Sequence, residues 1–393
     1  MKYNFERIDR KDTDCIKWDG AKHFSLPEDV LPLWVADMDF PILPEITKAL
    51  EDRIKHPIIG YTMEATGEAE ATCEWMKRRH GMDVKKEWIL TTPGIVTAFK
   101  VAISAFTKAN DPILIIEPEY HPIKAAINQH GRKPVIYEMK NEVGRFVIDF
   151  KELEAVISTE KPVMLIFSTP HNPVGRIFSA EELKTIGELT RKYNMLVFSD
   201  EIHMDFAFAP HRFVSYMTAN EGFESTFLVA TSSSKTFNIA GLNFSNIIVP
   251  DEELRNKYLN ELKKYSIDSQ NLFGSIATKA AYENGDLWVD ELHEKLQENF
   301  KLLKELLSEY LPKVKLTEPE GLYLAWLDFN GLGLTVEALN DLLINKAKVW
   351  LNDGSAFGKQ GEGFQRMNLA TSGEIIKEAV LRISNAIKEN GLE

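Results

Sequence analysis

The segment Phe227-Leu-Val-Ala-Thr-Ser-Ser-Ser-Lys-Thr-Phe-Asn-Ile-Ala-Gly-Leu242 organises the rest of the chain. It begins as an apolar run typical of a buried strand and continues into four consecutive hydroxyl residues, Thr231 to Ser234, with Lys235 directly after them. A lysine amine at the end of a buried strand is costly unless it has a partner or takes part in a reaction. The hydroxyls favour an anion held beside that amine. The segment therefore indicates either a reactive lysine next to a bound phosphate or a serine-rich loop with an exposed lysine.

Short apolar runs of the same kind recur on both sides of this segment. They lie at residues 88–92, 113–117, 135–138, 163–168, 195–199, 227–231 and 247–249. Helical periodicity lies between most of them, for example at 181–193, where Ser179 is placed to cap the helix. Seven such strands alternating with helices predict an α/β fold with a mostly parallel sheet buried on both faces. Ligands bind beyond the carboxyl ends of the strands in such sheets.

The remaining parts of the chain predict a second, smaller α/β domain. A long helix is expected at 286–311, strands at 321–329, 349–351 and 364–370, and a closing helix at 374–389. Residues 33–40 are predicted to be strand-like. We expect an N-terminal segment (1–45) that joins the small domain, a large domain (46–285) and a small C-terminal domain (286–393).

Composition excludes several classes of protein. The chain has 393 residues and a net charge of -13, so a nucleic-acid partner is not expected. Its two cysteines, Cys15 and Cys73, form neither a metal-binding spacing nor a disulfide framework, and no metal site is predicted. The charged N-terminus does not resemble a signal peptide, and no stretch is long and apolar enough to span a membrane. A cytoplasmic protein without a membrane partner is the expectation.

Six short motifs occur in an order that is more specific than any one of them. They are Thr92-Pro93-Gly94, Pro118-Glu-Tyr120, Asn172-Pro173-Val-Gly175, Asp200-Glu-Ile-His203, Ser232-Ser-Ser-Lys235 and Arg366-Met-Asn368. This order resembles the fold-type I pyridoxal-phosphate enzymes of the class I/II aminotransferase superfamily, over nearly the whole chain. Three further runs are similar to the MalY/PatB type of cystathionine β-lyase, or cysteine-S-conjugate β-lyase: Trp34-Val-Ala-Asp-Met-Asp-Phe-Pro41, Gly60-Tyr61 and Thr236-Phe-Asn-Ile-Ala-Gly-Leu242.

The resemblance implies a pyridoxal 5'-phosphate cofactor and assigns it residues. Lys235 would form the Schiff base and later move the Cα proton; the alternative is a surface lysine. Asp200 would keep the pyridine nitrogen protonated, and the alternative is a helix cap. Tyr120 would stack on the ring or simply be a core aromatic. Asn172 would donate to the ring hydroxyl and touch the substrate, or occupy a turn before proline.

The phosphate is expected at the start of a helix. Gly94 would let the backbone approach, and the amides of Ile95 and Val96 would face the anion. Ser232 and Ser234 would add hydroxyl donors. Many relatives have Arg or Lys where this chain has Asn243. Helix dipoles and neutral donors are therefore expected to contribute a larger share of phosphate binding. Tyr61 is expected to reach the phosphate, and the substrate, from the second subunit of a homodimer.

The remaining implied contacts concern the substrate and His203. Arg366 would bind the substrate α-carboxylate as a planar fork, the alternative being a strand arginine in a surface ion pair. Ala36 would offer backbone near the same carboxylate. His203 stands where many relatives have Tyr, and two readings stay open: a donor to the cofactor, or a histidine satisfied without it.

The reaction implied is carbon–sulfur β-elimination. L-cystathionine or another S-substituted cysteine would give pyruvate, ammonia and a thiol. An aminotransferase would use the same residues, and a lyase that also binds a regulatory protein is a further alternative.

Overall fold

The computed structural model describes residues 2–63 and 67–392. Its strands are β1 (Leu31–Pro32), β2 (Ile89–Thr92), β3 (Pro112–Glu117), β4 (Lys133–Glu138), β5 (Lys140–Glu142), β6 (Arg145–Val147), β7 (Met164–Ser168), β8 (Leu196–Asp200), β9 (Phe227–Thr231), β10 (Ser245–Ile248), β11 (Lys315–Leu316), β12 (Leu324–Asp328), β13 (Val349–Trp350), β14 (Asn352–Asp353) and β15 (Phe364–Asn368). Its α-helices are α1 (Pro44–Ile54), α2 (Glu68–His80), α3 (Ile95–Phe106), α4 (His121–Gln129), α5 (Phe150–Glu160), α6 (Ala180–Lys192), α7 (Tyr216–Ala219), α8 (Ser233–Thr236), α9 (Glu252–Lys264), α10 (Leu272–Asn284), α11 (Asp286–Tyr310), α12 (Val336–Asp341) and α13 (Gly373–Glu389).

The central sheet has seven strands in the order β2-β10-β9-β8-β7-β3-β4. The strand β10 runs antiparallel to both of its neighbours, while β3, β4, β7, β8 and β9 pair in parallel. Every residue of β7 and β9 is buried, as expected of strands covered by helices on both faces. The predicted seven-stranded, mostly parallel α/β sheet is confirmed.

Local sequence signals determine where α6, the helix between β7 and β8 in the chain, begins. The Ser179 hydroxyl accepts from the Glu182 N–H, and the Glu182 carboxylate accepts from the Ser179 N–H, which forms a capping box at the start of α6. Each partner satisfies a backbone N–H that would otherwise be unpaired at the helix end. The expected role of Ser179 as N-cap is confirmed.

A smaller antiparallel sheet follows in the chain. Its order is β11-β12-β15-β14, and β15 places Arg366 opposite Trp326 and Asn352. The strand β1 pairs in parallel with β13, which ties the N-terminal segment to this part of the chain. Within residues 2–63 and 67–392, no helix is long and apolar enough to cross a membrane.

The prediction of a strand at residues 33–40 is wrong. Leu31–Pro32 pairs as a strand, and the following residues run as irregular extended chain. Side chains take over part of the backbone pairing: Asn238 accepts from the Met38 N–H at 2.9 Å and donates to Met38 O and Phe40 O. The N–H groups of Leu33 and Asp39 still donate to the carbonyls of Trp350 and Ala370. Backbone groups satisfied by side chains need no neighbouring strand.

Candidate active site

A cavity of about 480 Å³ lies at the carboxyl ends of the central strands. It brings together most residues that the sequence singled out: Ala36, Gly94, Ile95, Val96, Tyr120, Asn172, Asp200, His203, Ser234, Lys235, Asn243 and Arg366. These residues come from nearly the whole length of the chain. The parallel strands gather many of them because their carboxyl ends share one edge of the sheet.

The Lys235 amine lies inside this cavity. Lys235 belongs to the short helix α8, and its Nζ donates to the Ala36 carbonyl at 2.8 Å. Burial lowers the pKa of Lys235 to about 8; the charge of Asp37 opposes this shift, and that of Arg366 adds to it. The alternative of a surface lysine is therefore wrong. A lysine whose pKa is near neutrality can act as a nucleophile and as a base.

Asp200 is the last residue of β8 and is buried. Burial raises the pKa of its carboxyl group to about 7, although the Ile202 N–H and the charge of Lys235 act in the opposite direction. One of its oxygens accepts from that N–H at 3.2 Å. A carboxylate held this poorly by its surroundings gains strongly from a cation placed against it.

Arg366 and Asn172 form one buried unit. Arg366 donates to Asn172 Oδ1 at 2.9 Å and to the Trp34 carbonyl at 3.0 Å, while its buried Nε has no hydrogen-bond partner among the described residues. Burial lowers the pKa of Arg366 to about 10. Because Arg366 is buried, the alternative of a surface ion pair is wrong. The guanidinium is placed to receive an anion that enters the cavity.

His203 and Tyr120 also line the cavity. His203 is buried, and within the described part of the chain its Nδ1 has no hydrogen-bond partner. Burial holds the pKa of His203 well below its usual range, with smaller effects in the same direction from Lys235 and Arg366. An unpaired buried ring nitrogen on a residue that lines a cavity favours a ligand contact over a histidine satisfied by the protein.

The anion end of the cavity lies at the start of α3. Gly94 occupies the N-cap position with φ of 89°, a region that residues with a Cβ rarely adopt. Ile95 and Val96 follow as the first helical residues, where backbone N–H groups lack partners within the helix. The phosphate contact expected of this turn stays a prediction.

Ser232 does not line the cavity, although a hydroxyl contact was predicted for it. Its Oγ lies 2.7 Å from Phe244 O and accepts from the Ser234 N–H at 3.1 Å, as the N-cap of α8. Ser234 lines the cavity instead. The correction has a physical reason: the first hydroxyl of the Ser232–Ser234 run is used to start the helix that carries Lys235.

Tyr61 lies outside the cavity of its own chain and is fully exposed. Ile58, Ile59 and Met63 beside it are exposed as well. Its predicted contact with the site of a second subunit stays a prediction.

Three residues in or beside the site were missed by the reasoning from sequence: Glu119, Ser168 and Tyr323. The buried Glu119 carboxylate accepts from the N–H of Tyr120 and from the N–H and hydroxyl of Ser168, and burial raises the pKa of Glu119 to about 8. Ser168 in turn accepts from the Asn172 N–H. The position of Glu119 beside Tyr120 was the available signal.

Tyr323 donates to the Ala36 carbonyl at 3.0 Å, and nothing in its apolar strand-like run indicated this.

Glu201 directly follows Asp200 in the chain but has different surroundings. It is fully buried, and its Oε1 accepts from the Ser199 hydroxyl and the Tyr216 N–H, both at 2.8 Å. Those contacts lie away from the residues that line the cavity.

Fold and site together define a class of protein, and comparison with known proteins agrees. The chain belongs to the aminotransferase class I and II family, whose family model matches residues 28–383. It is similar to cystathionine beta-lyase PatB of Bacillus subtilis (strain 168), with 37% identity over 385 residues that cover 98% of this chain and 100% of the relative.

Two solved structures are similar over the full length. Cystalysin from Treponema denticola, which contains a pyridoxal 5'-phosphate cofactor, has a TM-score of 0.95 and 32% identity, covering 99% of this chain and 100% of cystalysin. The PLP-bound C-S lyase from Staphylococcus hominis has a TM-score of 0.91 and 31% identity, covering 98% of both chains. The family and the fold that the motif order predicted are confirmed.

Proposed function

We propose that this protein is a pyridoxal-phosphate-dependent carbon–sulfur β-lyase. It cleaves L-cystathionine or another S-substituted cysteine to pyruvate, ammonia and a thiol. The observation that carries the proposal is the full-length similarity to a cystathionine beta-lyase, together with a cavity that presents Lys235, Asp200 and Arg366 to one space.

The residues present fit the cofactor. Asp200 is a buried carboxylate whose raised pKa suits a protonated pyridine nitrogen as its partner. His203 has an unpaired ring nitrogen among the described residues, and Tyr120 offers an aromatic face. Gly94, the amides of Ile95 and Val96, and the Ser234 hydroxyl would hold the phosphate. Asn172 would donate its amide to the ring hydroxyl, since its Oδ1 is already occupied by Arg366.

When bound, the cofactor supplies an aldehyde that links to the substrate amine and a ring that withdraws electrons from Cα. Arg366 binds the substrate carboxylate, and the Ala36 backbone lies at the same wall of the cavity. The Lys235 amine, in its uncharged form, would accept the Cα proton of the substrate. The sulfur group would leave Cβ as a thiol, and one water molecule would complete the conversion of the remaining carbon chain to pyruvate and ammonia.

The same proposal includes a homodimer in which Tyr61 reaches the partner's site. Support comes from the exposed apolar stretch that contains Ile54, Ile58, Ile59, Tyr61 and Met63. Such a stretch is typical of a surface that another protein covers.

The proposal also retains the domain division 1–45, 46–285 and 286–393. The seven-stranded sheet falls within 46–285, and the four-stranded sheet falls within 286–393. The pairing of β1 with β13 supports an N-terminal segment that joins the small domain. A cytoplasmic location is proposed as well, with support from Cys15 and Cys73, which are both free thiols.

Product identity tests the proposed reaction. L-cystathionine should be cleaved without an added keto acid, because elimination needs no second substrate. Pyruvate, ammonia and homocysteine should form in equal amounts, because each cleavage releases one of each. The control is alanine or an aromatic amino acid with 2-oxoglutarate, which measures transamination through the same residues. About 1.4 kcal/mol between the two barriers shifts the partition tenfold. Glutamate formation that far exceeds pyruvate release would overturn the lyase and favour an aminotransferase.

A further inference from the structure

An ion-pair cluster lies in the N-terminal segment, behind the wall of the cavity that faces Lys235. Lys17 is fully buried, and its Nζ lies 3.0 Å from Asp39 Oδ2 and 3.8 Å from Asp37 Oδ1. Arg10 joins the same two carboxylates, at 2.8 Å from Asp37 and 3.4 Å from Asp39. Trp18 donates its indole N–H to Asp39 at 2.8 Å. The cluster thus combines the cations Lys17 and Arg10 with the carboxylates of Asp37 and Asp39.

This cluster is costly to build. Removing charges from water carries a penalty of several kcal/mol for each buried ion, so buried ion pairs seldom add much stability over apolar side chains. Such pairs are better explained by the geometry or the electrostatic field that they impose. The field of this cluster is relevant because Asp37 directly follows Ala36, whose carbonyl accepts from Lys235 Nζ at 2.8 Å, and the negative charge of Asp37 raises the pKa of Lys235.

The backbone of residues 34–37, which leads into the cluster, forms hydrogen bonds with the side chains of Lys235 and Arg366 in the cavity. The Ala36 carbonyl accepts from Lys235 Nζ and from the Tyr323 hydroxyl, and the Trp34 carbonyl accepts from Arg366. Asn368 donates to the carbonyls of Val35 and Asp37. Displacement of Asp37 would therefore move the acceptor of the Lys235 amine.

We propose that Lys17 and Arg10 are positioning residues for Lys235. Their charges offset those of Asp37 and Asp39, and their ion pairs hold residues 34–40 so that the Ala36 carbonyl meets the Lys235 amine. The other charged or titratable groups that face Lys235 are Asp200 and His203 from β8 and the residues after it, and Arg366 from β15. Tyr323 faces it through the shared Ala36 carbonyl. None of these groups is changed when the cluster is altered, so the effect of the cluster is separable.

This role for Lys17 and Arg10 rests on the role of Lys235 in the proposed function. Its test measures the titration of the Lys235 amine directly. The full-length protein, stripped of any bound cofactor with hydroxylamine, is labelled with trace acetic anhydride across a pH series. Mass spectrometry of the peptide that contains Lys235 then gives the titration midpoint of its amine. A protein that lacked lyase activity would still give this midpoint, so failure of the two proposals is distinguishable.

Variants of opposite charge should move this midpoint in opposite directions. Lys17→Met and Arg10→Met each remove a cation and should raise this midpoint by about half to one pKa unit, the order of effect that a single partly screened charge has on a nearby amine in a protein. Asp37→Asn removes the anion and should lower it by a similar amount. Lys11→Met, which removes an exposed charge of the same segment, should leave it unchanged.

Thermal unfolding of each variant shows whether it is folded. If Lys17→Met does not fold, Arg10→Met and Asp37→Asn still give opposite expected shifts. Equal midpoints in all folded variants, or shifts of the same sign for Arg10→Met and Asp37→Asn, would overturn the proposal.

Discussion

Asp200 and Glu201 are adjacent carboxylates, both buried, that the structure assigns to different surroundings. Asp200 lines the cavity, whereas Glu201 accepts from Ser199 and Tyr216 within the protein. Asp200→Asn should keep cofactor binding but lower kcat by about 100- to 1000-fold, the usual cost of losing one preorganised electrostatic contact. Cofactor absorbance and steady-state pyruvate release measure the two effects.

Glu201→Gln is the matched control for Asp200→Asn. It removes a buried carboxylate one position away but keeps an oxygen that accepts the same two hydrogen bonds. We expect a change in thermal stability and near-normal kcat. Near-normal kcat in Asp200→Asn, or an equal loss of kcat in both variants, would contradict the assignment of Asp200 to the ring nitrogen.

The backbone conformation at the start of α3 determines what Gly94 contributes. Its φ of 89° at the N-cap of α3 lies where a side chain is strained, although an added Cβ would meet nothing within 4 Å. Gly94→Ala should therefore cost about 1–3 kcal/mol of stability from backbone strain, since φ of 89° with ψ of 163° lies in a region essentially confined to glycine. It should also weaken cofactor binding, because relaxation of the strain turns the amides of Ile95 and Val96 away from the anion. Thermal unfolding and a fluorescence titration with pyridoxal 5'-phosphate measure these effects.

Gly81 provides the matched control at the end of α2. It has φ of 66°, open space where the methyl group of an alanine would lie, and no place in the cavity lining. Gly81→Ala should lower stability without changing cofactor affinity. Equal losses of affinity in the two variants would mean that Gly94 acts only through overall stability.

At the scale of the whole molecule, the proposed dimer makes a prediction about mixed subunits. Lys235→Ala and Tyr61→Ala are each expected to be inactive, but mixing them equally should restore about a quarter of normal activity if Tyr61 serves the partner's site, because half of the subunits pair as heterodimers with one intact site. Pyruvate release after subunit exchange is the measurement.

A second mixture supplies the control for subunit exchange. Lys235→Ala mixed with Asp200→Asn should stay inactive, since both residues line the cavity of one chain and no heterodimer has an intact site. Fluorescent labels on the two partners show that exchange has occurred. Exchange without recovery in the mixture that contains Tyr61→Ala would show that Tyr61 does not cross the interface.

The sequence alone determined the large-scale architecture and the main reactive residues of this protein. Apolar strands alternating with amphipathic helices are buried as a mostly parallel sheet, and residues after those strands meet at one edge. The places of Lys235, Asp200 and Asn172 at the ends of strands were therefore predictable, and the resemblance carried by the motif order supplied their roles. Arg366 was found through the motif order rather than through the large sheet, since it lies on β15 of the small sheet.

Only the tertiary structure decided how side chains share backbone groups. It assigned Ser232 to capping α8, replaced the expected strand at residues 33–40 by contacts from Asn238 and Asn368, and joined Lys17 to Asp39 beneath that segment. Most of these contacts join residues far apart in the chain, and a hydroxyl or amide has the same local propensity whichever partner it finds. Hydrogen-bond partners depend on three-dimensional proximity, so no local pattern could have distinguished a serine that holds an anion from one that starts a helix.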